Sequence, residues 1–299
     1  MLSVLIPVFN FDVRPFVREL HRQATECGMA FEIRCYDDAS QRKYCNMNRE
    51  LEQMENVVYK ELPVNLGRSA IRNLLAEEAV FDHLLFADCD SWPERGDFIS
   101  KYKEVLGPDA VLYGGRSYSP DPPVDQTLFL RWHYGLQREV IPVETRKRQP
   151  WHSFQTNNFV IPRELFLKIR LNEALKGYGH EDTLLGIQLM QQEVPLLHLD
   201  NPLRHLGLEN SREFLDKTRQ GVLNLARLIL AGYPLDSVKL VRVYNRLKFT
   251  GVTRIFSWYS GLREKQWLSK LESTRPSLRL FDFYKLGLLC RAVRSMSKK

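Results

Sequence analysis

Long apolar runs are missing from this 299-residue chain, and without a stretch of about 20 apolar residues a membrane-spanning helix is not expected. Met1-Leu2-Ser3-Val4-Leu5-Ile6-Pro7 carries neither the basic stretch nor the cleavage site of a secretory signal, so the expected location is cytoplasmic. Cysteine is scarce. Cys27, Cys35, Cys45, Cys89 and Cys290 form no Cys-x-x-Cys pair, which argues against zinc or a disulfide framework and for reduced core thiols. Two nucleotide signatures are also absent: the Gly-x-Gly-x-x-Gly turn of dinucleotide enzymes and the Gly-x-x-x-x-Gly-Lys-Ser/Thr phosphate loop. Nicotinamide oxidoreductases and P-loop enzymes lose their weight accordingly. No internal repeat is visible.

What is present suits a globular protein, since 44% hydrophobic content over this length can bury one large core, with or without an appendage. The net charge of +7 is unevenly spread. Residues 234–299 hold 15 Lys/Arg against 4 Asp/Glu, leaving 28 against 32 in residues 1–233, so a mildly acidic body carries a strongly basic tail.

Along the chain, Ser3 to Phe9 reads as a strand, followed by a helix over 14–27 with Phe16, Val17, Leu20 and Ala24 at helical spacing. Phe31 to Tyr36 is a second strand ending at Asp37-Asp38-Ala39-Ser40. A helix is expected over 46–54, a short strand over Val57 to Lys60, a helix from Ser69 to Phe81, and a buried strand over His83 to Phe86. This βαβαβαβ order predicts an α/β fold with a mostly parallel sheet and flanking helices. In such sheets ligands sit beyond the carboxyl ends of the strands, and three of those ends carry Asn10, Asp37-Asp38, and Asp88 with Asp90. Pro108 to Pro150 reads as a strand plus long loops, an insertion-like segment near the site with Arg146-Lys147-Arg148 exposed.

Ala87-Asp88-Cys89-Asp90 is the most informative feature. Carboxylates at i and i+2 of an extended segment project to one side and can reach one hard cation and the phosphates it bridges, whereas an isolated Asp-x-Asp often merely ends a strand. Asp37-Asp38 offers acceptors for a base N–H or ribose hydroxyls, or one of the pair caps the segment that follows. Asn65-Leu66-Gly67-Arg68 precedes a helix: Gly67 permits close backbone approach, and Arg68 or Arg72 could meet phosphate with a forked donor set, Arg72 being equally readable as a solvent-facing charge. Glu181-Asp182 sits at the first turn of the helix over Thr183 to Met190, where acidic residues also simply complement the helix dipole.

Five motifs in order, Ile6-Pro7-Val8-Phe9-Asn10, Asp37-Asp38-Ala39-Ser40, Asn65 to Asn73, Ala87 to Asp90 and Gly179-His180-Glu181-Asp182, give residues 3 to about 210 a resemblance to family 2 glycosyltransferases. The resemblance implies a GT-A type fold, a nucleotide-diphosphate sugar donor with UDP-sugars favoured, Mn²⁺ or Mg²⁺, and transfer with inversion. By it, Pro7, Phe9, Asn10, Asp37, Asp38, Asn65, Gly67, Arg68, Arg72 and Asp88 would hold the donor. Asp90 would ligate the metal directly, with Asp88 on the ribose or a metal-bound water and His205 as a further ligand, His198 competing for that place. Asp182 would be the base that takes the acceptor proton, and Glu181 would position acceptor or base. Gln155 to Arg163 matches the segment beside the acceptor but lacks the usual glycines, and Trp151, His152 or Tyr178 could stack on a sugar ring or belong to the core.

The expected organisation is a catalytic domain over 1–220 and a basic helical segment over 221–299. From Leu235 cationic and bulky residues alternate, which suits either an anionic membrane surface or packing on the domain or on a second copy in a homo-oligomer; no recognition motif points to nucleic acid. The expected activity is hexosyl transfer to a glycan or lipid-linked acceptor in polysaccharide biosynthesis, in the cytoplasm or peripherally on the inner face of the membrane. Two rivals are a sugar nucleotidyltransferase, for which Asn10 to Pro15 lacks a Gly-rich basic loop, and a non-catalytic nucleotide-sugar-binding scaffold, against which the intact Asp88, Asp90 and Asp182 count.

Overall fold

The computed structural model describes residues 1–107, 109–175 and 177–297; Pro108, the first residue of the segment expected to be insertion-like, lies outside them. In chain order its main elements are β1 (Leu2–Val8), α1 (Arg14–Glu26), β2 (Phe31–Asp37), α2 (Arg42–Asn48), β3 (Val57–Glu61), α3 (Arg68–Glu78), β4 (His83–Ala87), β5 (Ser91–Pro93), α4 (Phe98–Lys103), β6 (Val111–Tyr113), β7 (Arg116–Ser117), α5 (Phe129–Tyr134), α6 (Val143–Arg148), β8 (Asn158–Pro162), α7 (Arg163–Ile169), α8 (Glu181–Gln191), β9 (Leu196–His198), β10 (Leu203–His205), α9 (Ser211–Leu230), α10 (Lys239–Phe249), α11 (Thr253–Leu271) and α12 (Leu278–Met296).

By compactness the chain forms two units. The first comprises Met1–Tyr118, Glu139–Ala174 and Glu181–Gly207, and the second Ser119–Arg138, Leu175–His180 and Leu208–Lys299. Two short segments before residue 208 thus group with the helices that follow it, which a single boundary at 220 does not describe.

The first unit is built on a sheet of order β3-β2-β1-β4-β8-β6-β9. The pairs β1–β2, β2–β3, β1–β4 and β6–β9 are parallel, and β8 runs antiparallel between β4 and β6. The expected α/β architecture, a mostly parallel sheet with flanking helices, is therefore present. The central strands β1 and β4 are largely apolar on both faces because both faces are covered. On one side Leu2, Val4, Ile6 and Val8 of β1 pack with Phe16, Val17, Leu20 and Ala24 of α1. On the other, Leu5 joins Ile71, Leu75 and Ala76 of α3 and a phenylalanine cluster in which Phe86 lies 4.9 Å from Phe159 and 4.7 Å from Phe166 between ring centroids. Ser3, the one polar residue inside β1, is satisfied by donating to Glu32 Oε1 at 2.6 Å.

A small second sheet has order β5-β10-β7, with His205 opposite Ser91 and Arg204 opposite Ser117. This pairing carries His205, more than a hundred residues downstream, to the residue that follows Asp90.

Two expectations are corrected. The helix expected over 46–54 is α2 followed by a 3-10 turn over Arg49–Gln53, because Asn48 turns inward to accept from Val13 N at 3.1 Å and donate to Phe11 O at 2.9 Å. Arg146, expected to be exposed, is buried: α6 brings it to the end of β6, where its guanidinium donates to the carbonyls of Ile141, Tyr113, Gly114 and Leu199 and lies 5.1 Å from the Tyr113 ring. Buried carbonyls need donors, and arginine supplies five.

The second unit is helical, as expected for the C-terminal segment, and is centred on Tyr134 of α5, Phe214 of α9 and Phe281 of α12, whose rings lie 5.3–5.5 Å apart. Asn210 and Ser277 cap α9 and α12 through their side-chain oxygens. Among the described residues no helix is long and apolar enough to cross a membrane.

The phenylalanine cluster generates a stability prediction. Phe86→Ala removes the ring that both Phe159 and Phe166 contact, and should lower the unfolding free energy by about 3–5 kcal/mol, read as a fall in the urea midpoint.

Candidate functional site

Strand order reverses beside β1: the chain runs from β1 outward to β2 and β3, then returns through α3 to place β4 on the other flank of β1. A crevice beyond the carboxyl ends of the strands follows from that reversal. Pro7 is half-buried in β1, Phe9 is exposed just beyond it, and Asn10 turns the chain with a positive φ of 52°. Asn10 N donates to Ser40 Oγ at 2.7 Å and Asn10 Oδ1 accepts from Gln41 N at 2.8 Å, which ties the ends of β1 and β2 together.

The two carboxylates after β2 do local work. Asp37 is fully buried and accepts from Ser40 N at 2.7 Å and Tyr59 Oη at 3.3 Å. Asp38 accepts from Leu66 N at 2.6 Å and Gly67 N at 3.0 Å, while Asn65 Nδ2 donates to Asp38 O at 2.9 Å. Burial pushes the Asp38 carboxyl up despite those two N–H donors. Asp38 thus holds the Asn65–Gly67 loop against β2 while Asp37 fixes the turn to Ser40, and Gly67, with φ of 85°, makes the left-handed turn that starts α3.

From α3 a chain of charges crosses to the end of β4. Arg72 is buried, not solvent-facing; its Nη2 stands 2.5 Å from Asp88 Oδ1 and its Nη1 donates to Arg68 O at 3.0 Å. The other Asp88 oxygen meets Arg116 Nη2 at 3.2 Å, and Arg116 Nη1 reaches Glu139 Oε2 at 3.2 Å, which also accepts from the Tyr118 hydroxyl. Burial works against the Arg116 charge, yet the surrounding anionic groups hold its proton more tightly than usual. At the other end Arg68 Nε donates to Glu181 Oε1 at 2.6 Å. Burial alone would raise the Glu181 carboxyl, and the charges of Arg68 and Arg72 together with its hydrogen bonds more than offset it, leaving Glu181 below its ordinary value.

Asp90 lies apart from that chain. Its Oδ2 is 3.5 Å from His205 Nδ1, outside hydrogen-bonding range, and neither nitrogen of the buried His205 ring has a partner. Room for the carboxylate depends on Gly207, where a Cβ would stand 2.3 Å from Asp90 Oδ2. Burial opposes ionisation of Asp90, but the neighbouring imidazole and guanidinium groups hold it ionised, well below the usual carboxylate range. A carboxylate beside a buried imidazole that makes no hydrogen bond fits a borderline divalent cation such as Mn²⁺. Among the described residues no group of three or more His, Cys, Asp or Glu gathers, since Asp88 is held by the two arginines. His198 is placed elsewhere: it pairs with Pro150 O at 3.0 Å and Arg146 at 3.3 Å, and burial holds it down to about 4.

Glu181 and Asp182 open α8 as the sequence predicts. Asp182, partly buried, accepts from Thr183 N at 2.7 Å; burial and then the Glu181 charge push its carboxyl up to about 6. Of the aromatic candidates, Trp151 donates to Val194 O at 3.3 Å and packs against the core, His152 is exposed and bonded to Gln149, and the Tyr178 ring lies 5.5 Å from Lys217 Nζ.

Sequence reasoning missed Arg116, Glu139 and Tyr118, although a Gly-Gly-Arg after a strand is the signal that could have found Arg116. It also left Asn157 within a general segment. Asn157 O accepts from Asp88 N at 3.2 Å, while both atoms of its buried side-chain amide lack partners. All six buried side-chain nitrogen and oxygen atoms without partners among the described residues belong to Arg72, Ser117, Asn157 and His205. Each borders the Asp88–Asp90 segment or the β7–β10 pair beside it. Native folds keep few such atoms, so their concentration marks a place built for a polar ligand.

The mostly parallel α/β sheet with its flanking helices is of the GT-A type. The model of "Glycosyl transferase family 2" matches residues 3–169, more than half of the chain, and the protein belongs to that family, as a glycosyltransferase. No curated protein gives a significant sequence match. Among solved structures, S. aureus TarS aligns with a TM-score of 0.47 and 18% identity over 79% of this chain and 40% of that one. S. aureus TarS 1–349 in complex with UDP aligns at 0.47 and 14% over 99% and 91%. GalNAc-T7 with UDP, GalNAc and Mn²⁺ aligns at 0.49 and 16% over 70% and 43%. The chain therefore spans less than half of the first and the last of these chains.

The arginine relay makes the two aspartates of Asp-x-Asp energetically unlike. Asp88→Ala leaves two buried guanidiniums without their shared anion and should cost about 3–5 kcal/mol of stability, whereas Asp90→Ala should cost clearly less, as urea unfolding of the two variants would reveal.

Proposed function

We propose that this glycosyltransferase moves a hexose, with inversion, from a nucleoside-diphosphate sugar, UDP-sugars favoured, to a hydroxyl of a glycan or lipid-linked acceptor in polysaccharide biosynthesis, in a metal-dependent reaction on the cytoplasmic side of a membrane. The observation that carries the reading is the gathering of unsatisfied buried polar atoms around Asp88 and Asp90, at the crevice where strand order reverses.

Asp90 and His205 would hold the divalent cation. When bound, that cation neutralises the charge that builds on a leaving diphosphate. The ends of β1 and β2 and the Asn65–Gly67 loop are proposed to receive the nucleoside, with Phe9 and Asn10 at its edge and Asp37 and Asp38 keeping the loop in shape. Arg68, half exposed at the start of α3, is the phosphate contact favoured by its position, while Arg72 acts by holding Asp88.

Asp182 is the proposed base. An inverting transfer needs a group opposite the leaving diphosphate to take the acceptor proton, and a carboxylate with a pKa near 6 is a stronger base than an ordinary one. Glu181 stays ionised against Arg68 and fixes the first turn of α8, so that Asp182 is presented while its neighbour repels any loss of its proton. Asn157, with an unpaired amide beside Asp88, is suited to a sugar hydroxyl.

Thermal melting against UDP, GDP, CDP and dTDP, each with and without Mn²⁺, tests the donor site. One nucleotide at about 100 times its dissociation constant should add roughly 2.7 kcal/mol only when metal is present, and Asp90→Ala should abolish the shift. No shift with any nucleotide would sink the reading. The base assignment carries its own pH signature: Asp182 keeps its proton below about 6, so kcat/KM should fall as pH drops through that value and level off above it. Asp182→Asn should remove the limb together with roughly 10²–10⁴-fold of the rate.

A further inference from the structure

Helix α11 is built inside out over its first half. The side chains it buries there are Ser257 and Ser260, followed by the partly buried Glu264, while Ile255, Trp258, Tyr259 and Leu262 face outward at i, i+3, i+4 and i+7. Packing explains the inversion. α11 meets α12 at Gly287, where a Cβ would come within 2.5 Å of Ser260 Cβ, so only small side chains fit between the helices. Arg291 of α12 fills the polar seam, donating to Ser260 Oγ at 2.7 Å and pairing with Glu264 at 3.0 Å. With the inner face taken by serines, Ile255, Trp258, Tyr259 and Leu262 are left exposed to water.

The outward stripe is continued by Phe249 at the end of α10 and Val252 at the turn between the helices. Phe249 is 95% exposed, Ile255 67%, Trp258 64% and Leu262 65%, an arrangement that a soluble surface does not sustain without a partner. Beside it, Phe283 of α12 is also exposed, its ring 6.4 Å from that of Phe256. Along the chain leading into and through the stripe the charges have one sign. From Ser237 to Arg263 the chain holds Lys239, Arg242, Arg246, Lys248, Arg254 and Arg263 and no Asp or Glu. All six are exposed, and Arg263 lies 5.9 Å from the Tyr259 ring.

We propose that this face is a membrane-contact surface, in which Phe249, Ile255, Trp258 and Leu262 enter the interfacial layer of an anionic bilayer while the flanking arginines and lysines meet lipid phosphates. An apolar stripe rimmed by cations is the pattern of helices that lie in the interface, and Trp and Tyr are the residues that favour headgroup depth. A second copy of this chain fits less well, because a two-fold contact on the same patch would set each cluster of cations against its own image. The surface does not depend on the donor-site reading, and it would hold the enzyme where a lipid-linked acceptor is found.

The test is flotation of the full chain with vesicles of phosphatidylglycerol and phosphatidylcholine in equal parts, beside vesicles of phosphatidylcholine alone. The protein should float with the anionic vesicles and not the neutral ones, and the bound fraction should fall as salt rises. The exposed triple variant Ile255→Ser, Trp258→Ser, Leu262→Ser should bind at least 10-fold more weakly, with an unchanged melting temperature and, where a nucleotide shift exists, an unchanged shift. Arg246→Gln with Arg254→Gln should weaken anionic binding while leaving the fold intact. The proposal is overturned if the wild-type chain ignores anionic vesicles, if the triple variant floats as well as the wild type, or if sedimentation gives a wild-type dimer that the triple variant dissociates and no vesicle binding by either.

Discussion

Asp88 is a largely buried carboxylate held between the guanidiniums of Arg72 and Arg116, and the geometry of the first unit depends on that three-body contact. Ions so far from solvent persist only when each is matched, and here one anion is shared by two cations, one of which takes a second anion in Glu139. The contact joins the end of β4 to α3 on one side and to β7 on the other. β7 pairs with β10, which carries His205 to Asp90; Arg72 also bonds the carbonyl of Arg68, which in turn holds Glu181. The Asp90–His205 pair, Arg68 and the first turn of α8 are therefore positioned through one largely buried charge. Such a cluster adds little net stability compared with apolar packing of the same volume, but it restricts where its members can sit.

Six carboxylates around the crevice illustrate how environment separates one chemical group into different tasks. Asp37 and Asp38 are consumed by N–H and O–H donors and shape a loop. Asp88 is a counter-ion, and Asp90, next to an unpartnered imidazole, is the one best arranged for a cation. Glu181 and Asp182 are adjacent in sequence yet shifted in opposite directions, because the first faces Arg68 and the second faces burial and its neighbour's charge. Adjacent groups with divergent proton affinities are a common basis for dividing positioning from proton transfer.

The C-terminal helices follow a different logic. An amphipathic helix ordinarily points its apolar stripe at the core, and α11 does so only near its end, where Trp267 and Leu271 are buried. The close seam at Gly287 leaves no volume for large side chains in the first half, so the fold directs them outward.

Much of this was legible in residue order. β1 to β4 and their helices are read from apolar periodicity because β1, β2 and β4 are covered on both faces, β3 on one, and each helix on one. The Asp-x-Asp at the end of β4 and the acidic pair at the start of α8 are local features, so their placement at a strand end and a helix start could be anticipated. The burial of Arg72 and Arg146 could not, since whether an arginine meets water or a set of carbonyls depends on segments tens of residues away. The same holds for the Arg116–Asp88 pair, for the placing of His205 beside Asp90 and of His198 away from it, and for the outward stripe of α11, each decided by which distant backbone lies alongside. Sequence alone determined the periodicities, the turn residues and the order of the motifs, because these depend on neighbours along the chain. Tertiary structure decided partners and burial, because the free energy of a charge or an apolar group depends on what replaces its water, and that is supplied by residues the chain order does not place nearby.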